Sequence, residues 1–255
     1  MMSTIALIAR DFSNAAPHYD DHANMQRRVA ARCSTLVAQH LMPKCALHPT
    51  ILDAGCGTGF LAADIDGVTI IQLDIAEGMA RVAAQHEQPA LTADMQHLPI
   101  EEASIDIMHS SLAMQWVEDV ATACAEAHRT LKKGGYFIFS TLEQGSLYEL
   151  ATSFAHSSGA SRTLPFRHHT TYLNTLEAAG FALLHTEQEM VIERHDTPRE
   201  VMKSLKSIGA NYKQGAPLTP ESLKDAEAYY AENYAHRDGG VTASYRVFTV
   251  IAQKL

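Results

Sequence analysis

The sequence is poor in cysteine, in tryptophan and in long apolar runs. Its four cysteines, Cys33, Cys45, Cys56 and Cys124, form no closely spaced pair and no cluster with histidine, so we expect reduced thiols and no metal site. No run approaches the roughly 18 apolar residues that span a bilayer. The opening residues, Met1–Arg10, lack the pattern of a signal peptide. We therefore expect a soluble, cytoplasmic protein with no membrane partner.

Positive charge is also scarce. The chain has 20 lysines and arginines against 29 acids, which gives a formal net charge of −9. Nucleic-acid binding needs concentrated Lys and Arg to neutralise phosphates, so we expect no nucleic-acid partner. An acidic protein partner would require basic residues to be clustered on one face.

The length and composition favour one globular domain. The 255 residues are 46% hydrophobic and 19% charged, with no linker-like segment and no internal repeat. A chain of this length can bury a large core, and α/β folds of this size commonly form one domain with insertions.

Periodic patterns predict alternating helices and strands. Apolar residues recur at helical spacing over Asn24–Leu41, and Pro43 ends this predicted helix. Four short apolar runs, separated by helix-like segments, then predict parallel strands of an α/β sheet. These runs are Thr50–Leu52, Thr69–Leu73, Ile105–His109 and Tyr136–Ser140.

The remaining segments predict a crossover helix, two further strands and two insertions. An apolar stripe from Val120 to Leu131 predicts a helix that ends at Lys132–Gly135, with cations in its last turn and a glycine stop. Two later runs, Ala182–Ile192 and Ser244–Lys254, are expected to close the sheet. The alternation of strand-like and helix-like patterns is lost over residues 145–171 and 198–240. These two segments are candidates for substrate-binding additions.

The segment most informative about function joins the first predicted strand to the next helix. It contains Asp53, followed by the glycines Gly55, Gly57 and Gly59 and then by Phe60. Glycines allow positive φ and let the backbone lie directly against a ligand. The bulky Phe60 occupies the position where a dinucleotide fingerprint has a small residue. Asp53 suits the ammonium group of an amino-acid ligand better than a pyrophosphate.

Two further acids follow at similar intervals. Asp74 ends the second apolar run, where a carboxylate can accept two ribose hydroxyls. Asp94 stands next to Met95, so the pair could receive an adenine ring and its amino group. Single acids in such places are usually helix caps or turn formers. The ordered set with the glycine turn predicts a nucleoside-binding site.

This set resembles that of class I S-adenosylmethionine-dependent methyltransferases over residues 48–142. The resemblance implies a Rossmann-like α/β fold, a seven-stranded sheet with helices on both faces, helical insertions and an antiparallel final strand. It assigns Asp53 and the three glycines to the methionine part of S-adenosylmethionine, Asp74 to the ribose, and Asp94 with Met95 to the adenine. Ile75 and Ser110 complete the predicted cofactor site.

Other segments resemble a narrower family, the malonyl-acyl-carrier-protein O-methyltransferases of biotin synthesis. The narrower resemblance rests on residues 12–26, 139–150 and 205–210, whereas the Gln115–Trp116 pair resembles that of small-acid carboxyl methyltransferases more broadly, including those acting on trans-aconitate and on malonyl acyl carrier protein. The narrower resemblance implies methylation of a free carboxylate on acyl carrier protein. Carboxyl methyltransferases of small free acids such as trans-aconitate, methyltransferases of quinone precursors, and non-catalytic cofactor-binding proteins remain alternatives.

The resemblance also suggests how the chain is divided. We expect a single methyltransferase domain over residues 1–255, with an N-terminal helical lid (1–47), a cofactor-binding core (48–142) and substrate-side insertions (143–181 and 197–240). Tyr19 and Gln115 are candidates to hold the acid by hydrogen bonds, and Trp116 to form a wall. Tyr19 in a surface cap and Trp116 in the core are the plainer interpretations.

Basic residues concentrate in the two insertions despite the acidic total. We hypothesise that they form a face for the acidic carrier, although such residues often form only a solvated surface. They are Arg162, Arg167, Arg199, Lys203, Lys206 and Lys213.

Overall fold

The computed structural model describes residues 4–45, 47–61, 67–210 and 218–255. Within these residues the strands form one sheet. They are β1 (Thr50–Ala54), β2 (Thr69–Asp74), β3 (Ala90–Thr92), β4 (Ile105–Ser111), β5 (Leu131–Leu142), β6 (Phe181–His195) and β7 (Val241–Lys254). Their order across the sheet is β3-β2-β1-β4-β5-β7-β6. The strands from β1 to β5 pair in parallel, and β7 runs antiparallel to both β5 and β6. The predicted Rossmann-like sheet with an antiparallel final strand is confirmed.

The described α-helices connect these strands or precede the sheet. They are α1 (Thr4–Ala15), α2 (Asn24–Leu36), α3 (Glu77–Ala83), α4 (Val120–Thr130), α5 (Tyr148–Ser158), α6 (His169–Ala178), α7 (Pro198–Ser207) and α8 (Pro220–Asn233). A π-helical turn at Val37–Leu41 and a 3₁₀ turn at Met42–Lys44 extend α2 to the predicted stop at Pro43.

Apolar side chains cover both faces of the sheet. Leu36 of α2 belongs to the same core cluster as Ile107 of β4. Ala127 of α4 belongs to a second cluster with Met108 of β4. Because successive strand residues point to opposite faces, the neighbours Ile107 and Met108 serve different cores. Helices therefore pack on both faces, as the sequence predicted.

The predicted end of α4 is wrong. This helix ends at Thr130, and Leu131 already pairs with Ile105 of β4. The pairing then shifts register before Ile107 pairs with Tyr136, so the Lys132–Gly135 segment forms an irregular part of β5 instead of a helical last turn. Lys132 donates to Asp106 at 2.8 Å. The basic residue is thus paired with an acid of β4 and does not neutralise the helix dipole.

The predicted strands lie where the apolar runs indicated, and each is longer than its run. Strand β3 was not among the predicted runs, because three residues are too few to show a period. Among the residues that the structure describes, no helix combines the length and apolar character needed to cross a membrane.

The two predicted insertions, residues 143–181 and 197–240, contain helices that pack on the sheet in different places. Helices α5, α7 and α8 contribute Leu150, Val201 and Tyr230 to a third core cluster at the carboxyl end of the sheet. Helix α6 contributes Leu176 to the core under α4. The division of the chain into lid, core and insertions stays a prediction.

Helix α1 lies directly on α3. The backbone N–H of Gly78 donates to Oγ of Ser13 at 3.1 Å. A Cβ at position 78 would lie 2.5 Å from the Ser13 carbonyl oxygen and 2.8 Å from its Cα. Only glycine therefore allows this approach of the two helices.

Gly78→Ala tests this packing. Without a clash, alanine would stabilise α3 by up to about 1 kcal/mol through its higher helix propensity. With the clash, we expect the free energy of unfolding to fall by about 1–3 kcal/mol, measured by urea denaturation. Arg81→Ala, at an exposed site of the same helix, is the control and should change little. A stabilised Gly78→Ala variant would contradict the described contact.

Candidate active site

The glycine turn after β1 has the backbone conformation that its sequence predicted. Gly55, Gly57 and Gly59 have φ values of +76°, +57° and +95°. The N–H groups of Gly55 and Cys56 donate to the carbonyl of Leu73 at 2.7 and 3.0 Å, which ties the turn to the end of β2. A Cβ on Gly57 would meet nothing within 4 Å. The turn therefore presents bare backbone to an open space.

Gly59 has a different environment. A Cβ there would lie 2.5 Å from Oε1 of Gln72 and 2.7 Å from the ring of His86. It is not among the residues that line the clefts described below. The structure thus gives Gly59 a packing role, and its predicted contact with a cofactor stays a prediction.

The open space beside the turn is a cleft of about 710 Å³, which we call the first cleft. Predicted cofactor residues line it together with apolar side chains from α1 that sequence reasoning did not single out. The predicted ones are Gly55, Gly57, Asp74, Ile75, Asp94 and Met95, and those from α1 are Ile5, Ile8 and Phe12.

Asp74 lies buried in this cleft and connects two loops. Its Oδ2 accepts from the N–H of Gly57 at 2.9 Å, and its Oδ1 accepts from the N–H of Ala76 at 2.8 Å. Burial raises the pKa of Asp74 to about 6, while these backbone hydrogen bonds act in the opposite direction. Each carboxylate oxygen can still accept one more hydrogen bond.

Asp94 and Met95 also line the first cleft. Asp94 forms a turn in which its Oδ1 accepts from the N–H of Gln96 at 2.9 Å. This is the ordinary turn-forming role of an aspartate, combined with a position at the cleft. Ser110 is fully buried and does not line the described clefts, because the alternation of β4 brings Ser111 to the cleft instead.

Asp53 is paired with a histidine that sequence reasoning missed. Its Oδ1 lies 2.7 Å from Nδ1 of His109, and both side chains are buried. Burial alone would lower the pKa of His109, but the charge and hydrogen bond of Asp53 raise it. The pair lines a smaller cavity of about 360 Å³ that shares Gly55 and Gly57 with the first cleft. The sequence signal for this pair was the presence of a histidine, His109, within the otherwise apolar run that predicted β4.

A second cleft of about 680 Å³ adjoins the first. The two clefts share the side chains of Phe12, Tyr19, Leu112 and Trp116 as lining residues. The rings of Phe12 and Trp116 meet edge to face, with centroids 5.4 Å apart. We call these four residues the shared wall.

The three segments that carry the narrower resemblance all reach the second cleft. Residues 12–26 provide Met25 and Gln26, residues 139–150 provide Leu142, and residues 205–210 provide Leu205 and Ile208. The cleft is therefore formed where distant parts of the chain converge.

The structure brings the three predicted catalytic residues to this region. Tyr19 and Trp116 belong to the shared wall, and Gln115 lines the second cleft. Burial raises the pKa of Tyr19, and the nearby Asp74 raises it further, so its hydroxyl stays protonated. Nε2 of Gln115 donates to the carbonyl of Leu112 at 2.6 Å, and its Oε1 accepts from Thr141. Both polar atoms of the Gln115 amide are thus hydrogen-bonded within the protein. The catalytic roles of Tyr19, Gln115 and Trp116 stay predictions.

The first cleft has the features that S-adenosylmethionine requires. It offers an open glycine backbone, a carboxylate with remaining acceptor capacity and apolar walls for a ring. The smaller cavity adds the carboxylate of Asp53 beside the same turn. The residues present therefore fit a ligand that joins a nucleoside to a cationic amino acid.

Comparison with known proteins agrees with this fold. Residues 52–139 match the family described as "Methyltransferase domain". The structure is similar to the YcgJ protein of Bacillus subtilis, with a TM-score of 0.65, 15% identity and coverage of 88% of this chain and 98% of that one. It is also similar to the geranyl diphosphate C-methyltransferase of Streptomyces coelicolor A3(2), with a TM-score of 0.54, 14% identity and coverage of 89% and 80%. That structure contains Mg²⁺, geranyl diphosphate and S-adenosyl-L-homocysteine. The chain has a Rossmann-like methyltransferase fold.

A curated relative defines the family more narrowly. The chain is 33% identical to a malonyl-acyl-carrier-protein O-methyltransferase of Herminiimonas arsenicoxydans, over 97% of this chain and 95% of that protein. The chain therefore belongs to the malonyl-acyl-carrier-protein O-methyltransferase family.

The Asp53–His109 pair yields a stability prediction. His109→Ala leaves a buried carboxylate without its partner, so we expect a loss of about 3–5 kcal/mol in unfolding free energy near pH 7. The folded pKa of His109 is raised, so the pair's stabilisation is full below the unfolded pKa. It is lost as the pH rises through the folded value of about 10.

The gap between wild type and His109→Ala should therefore narrow between pH 7 and pH 10, measured by urea denaturation. The double variant Asp53→Asn/His109→Ala is the control, and it should be more stable than His109→Ala because it buries no unpaired charge. A double variant less stable than the single one would contradict the pairing.

Proposed function

We propose that the protein transfers the methyl group of S-adenosylmethionine to the free carboxylate of malonyl-acyl carrier protein. The product is the methyl ester, an early intermediate of biotin synthesis. The observation that carries this proposal is the shared wall between two clefts, one suited to a nucleoside ligand and one formed by the family's own segments. Methyl transfer requires two ligands whose reacting ends meet.

The first cleft would hold the cofactor through residues that lie at the carboxyl ends of β1, β2 and β3. Asp74 would accept the ribose hydroxyls, with Ile75 and Met95 on the adenine ring and Asp94 near its amino group. Asp53 and the glycine turn would face the methionine part from the smaller cavity. These roles follow the order of the three acids along the sheet edge.

When bound, S-adenosylmethionine supplies an electrophilic methyl group on a sulfonium sulfur. A carboxylate oxygen of the acceptor attacks this carbon in line, the C–O bond forms, and the S–C bond breaks with its electron pair left on sulfur. The carboxylate is already ionised, so the protein needs no general base. Tyr19 is proposed to orient the acid by donating a hydrogen bond, and Phe12 with Trp116 to exclude water at the junction.

Mass spectrometry of the substrate tests this function. Incubation with S-adenosylmethionine should add one methylene mass to malonyl-acyl carrier protein, and fragmentation of the product should place that mass on the malonyl group as its methyl ester. Methylation of free malonate, trans-aconitate or a quinone precursor instead would assign the fold to another acceptor. No product from any acceptor would favour a non-catalytic role.

The cofactor assignment predicts a pH dependence of affinity. Ionised Asp74 accepts ribose hydroxyls better than its protonated form, and its pKa in the free protein is about 6. The dissociation constant of S-adenosylmethionine should therefore be constant above pH 7 and rise by about tenfold per pH unit below pH 6. Isothermal calorimetry measures it.

Asp74 variants provide the control for that titration. Asp74→Ala should weaken binding by about 1.5–3 kcal/mol, and Asp74→Asn should remove the pH dependence while keeping the side-chain volume. Thermal unfolding checks that both variants fold. An unchanged affinity in a folded Asp74→Ala variant would remove Asp74 from the cofactor site.

The hypothesis of a basic docking face needs revision at several positions. Arg199 forms a two-point ion pair with Glu227, Arg167 donates to the carbonyl of Glu118, and neither lines the groove described next. Lys213 lies outside the described residues. Lys203 and Lys206, in contrast, line an open groove.

We propose this groove as the docking site for the acidic carrier. His18 and His22 line it together with the two lysines, and Asp11 is its one acidic residue among those described. Both lysines lie on α7, whose Leu205 lines the second cleft. A carrier bound at the groove would thus stand beside the cleft that its acyl group must enter. Cytoplasmic location accords with this partner and stays a prediction.

Reversing both lysines tests the docking proposal. Lys203→Glu/Lys206→Glu should slow association with malonyl-acyl carrier protein and weaken its dependence on salt, because long-range attraction is lost. The control is Lys44→Glu/Lys133→Glu, which makes the same charge change at exposed sites near the amino ends of β1 and β5. Stopped-flow kinetics measures both variants.

A short malonyl thioester without the carrier should be methylated equally by wild type and the Lys203→Glu/Lys206→Glu variant. Equal loss with both substrates would show that the lysines shape the cleft itself. Equal slowing by the control variant would show an effect of net charge alone. Either result would contradict a local docking face.

A further inference from the structure

The second cleft contains an arginine whose role the proposed function has not used. Among the described residues that line this cleft, Arg162 is the only one with a charged side chain. Most of its neighbours there are apolar, including Leu142, Leu150 and Phe166. An ionised carboxylate is costly to bring into apolar surroundings unless a counter-charge is present. The cleft therefore provides one cation where an anionic acceptor would need it.

The local structure holds Arg162 at this place. Its Nε donates to Oγ of Ser158 at 3.2 Å, and that hydroxyl donates to the carbonyl of Phe154 at 2.9 Å, within the last turn of α5. The backbone of Arg162 has φ of +54°, a left-handed conformation that is unfavourable for a residue other than glycine. Strained backbone tends to be retained where it positions a functional side chain.

The other polar groups of the second cleft cannot supply this charge. The Gln115 amide is bonded to Leu112 and Thr141. Tyr19 is neutral, since its pKa is raised by burial, and the same holds for Tyr245 at the cleft. Hydrogen bonds from neutral groups compensate a buried carboxylate less well than a guanidinium does.

We propose that Arg162 binds the acceptor carboxylate in the second cleft and makes the enzyme selective for the acid over its methyl ester. This inference rests on the proposed function. One carboxylate oxygen accepts from the guanidinium while the other attacks the methyl group. Esterification removes the negative charge, so the product loses its ion pair with Arg162 and is released.

Binding of two matched probes tests this role. The probes are malonyl-pantetheine thioester and its methyl ester, titrated by calorimetry into protein saturated with S-adenosylhomocysteine. Wild type should bind the acid more tightly than the ester. In Arg162→Gln, the dissociation constant of the acid should rise by about 10- to 100-fold, whereas that of the ester should hardly change.

Two further variants keep the test specific. Arg162→Lys retains the charge but loses the planar guanidinium and its fixed donor directions, so its affinity for the acid should lie between those of wild type and Arg162→Gln. Arg194→Gln removes the same charge at an exposed position of β6, and it should bind both probes as wild type does. In turnover assays, Arg162→Gln should show a raised KM with a smaller change in kcat.

The outcomes separate this inference from the proposed function. If wild type methylates malonyl-acyl carrier protein but Arg162→Gln weakens acid and ester equally, Arg162 holds another part of the substrate and the inference is wrong. Unchanged binding of both probes also overturns it. If wild type does not methylate the malonyl group at all, the proposed function itself fails, whatever Arg162 does.

Discussion

The double hydrogen bonding of the Asp74 carboxylate is the interaction on which the site depends. One side chain at the end of β2 accepts from Gly57 in the turn after β1 and from Ala76 in the turn after β2. These bonds hold two loops at the same sheet edge, and they offset part of the cost of burying the carboxylate. The ligand surface of the first cleft thus exists because one buried acid satisfies two backbone donors. Its raised pKa is the consequence of the same burial.

The second constraint is the junction of two clefts at a common aromatic wall. Phe12 comes from α1, whereas Trp116 comes from the turn after β4, and their rings meet edge to face where both residues line the two clefts. The segment containing Phe12 also packs against Gly209, where a Cβ would lie 2.9 Å from the Phe12 Cα. The N-terminal helix is therefore fixed from the α3 side by Gly78 and from the α7 side by Gly209. In the proposed function, this arrangement would bring a donor and an acceptor into contact while limiting access of water.

Local patterns predicted much of the sheet and the first cleft, because short-range chemistry determines them. Glycines after an apolar run indicate a turn with positive φ. An acid at the end of such a run indicates a side chain at the edge of the sheet, as Asp74 shows. Contacts between distant segments were not predictable in this way. The pairing of Asp53 with His109 joins neighbouring strands that are far apart in sequence, and the packing role of Gly59 depends on His86 from another element. The irregular start of β5 depends on its pairing with β4, which no local period reveals.

The most direct test of the account is a crystal structure with S-adenosylhomocysteine and a malonyl thioester analogue bound together. The account predicts the ribose hydroxyls on Asp74, the thioether sulfur at the shared wall and the malonyl carboxylate across that wall in the second cleft. A cofactor bound away from Asp74, or a malonyl group bound outside the second cleft, would contradict it.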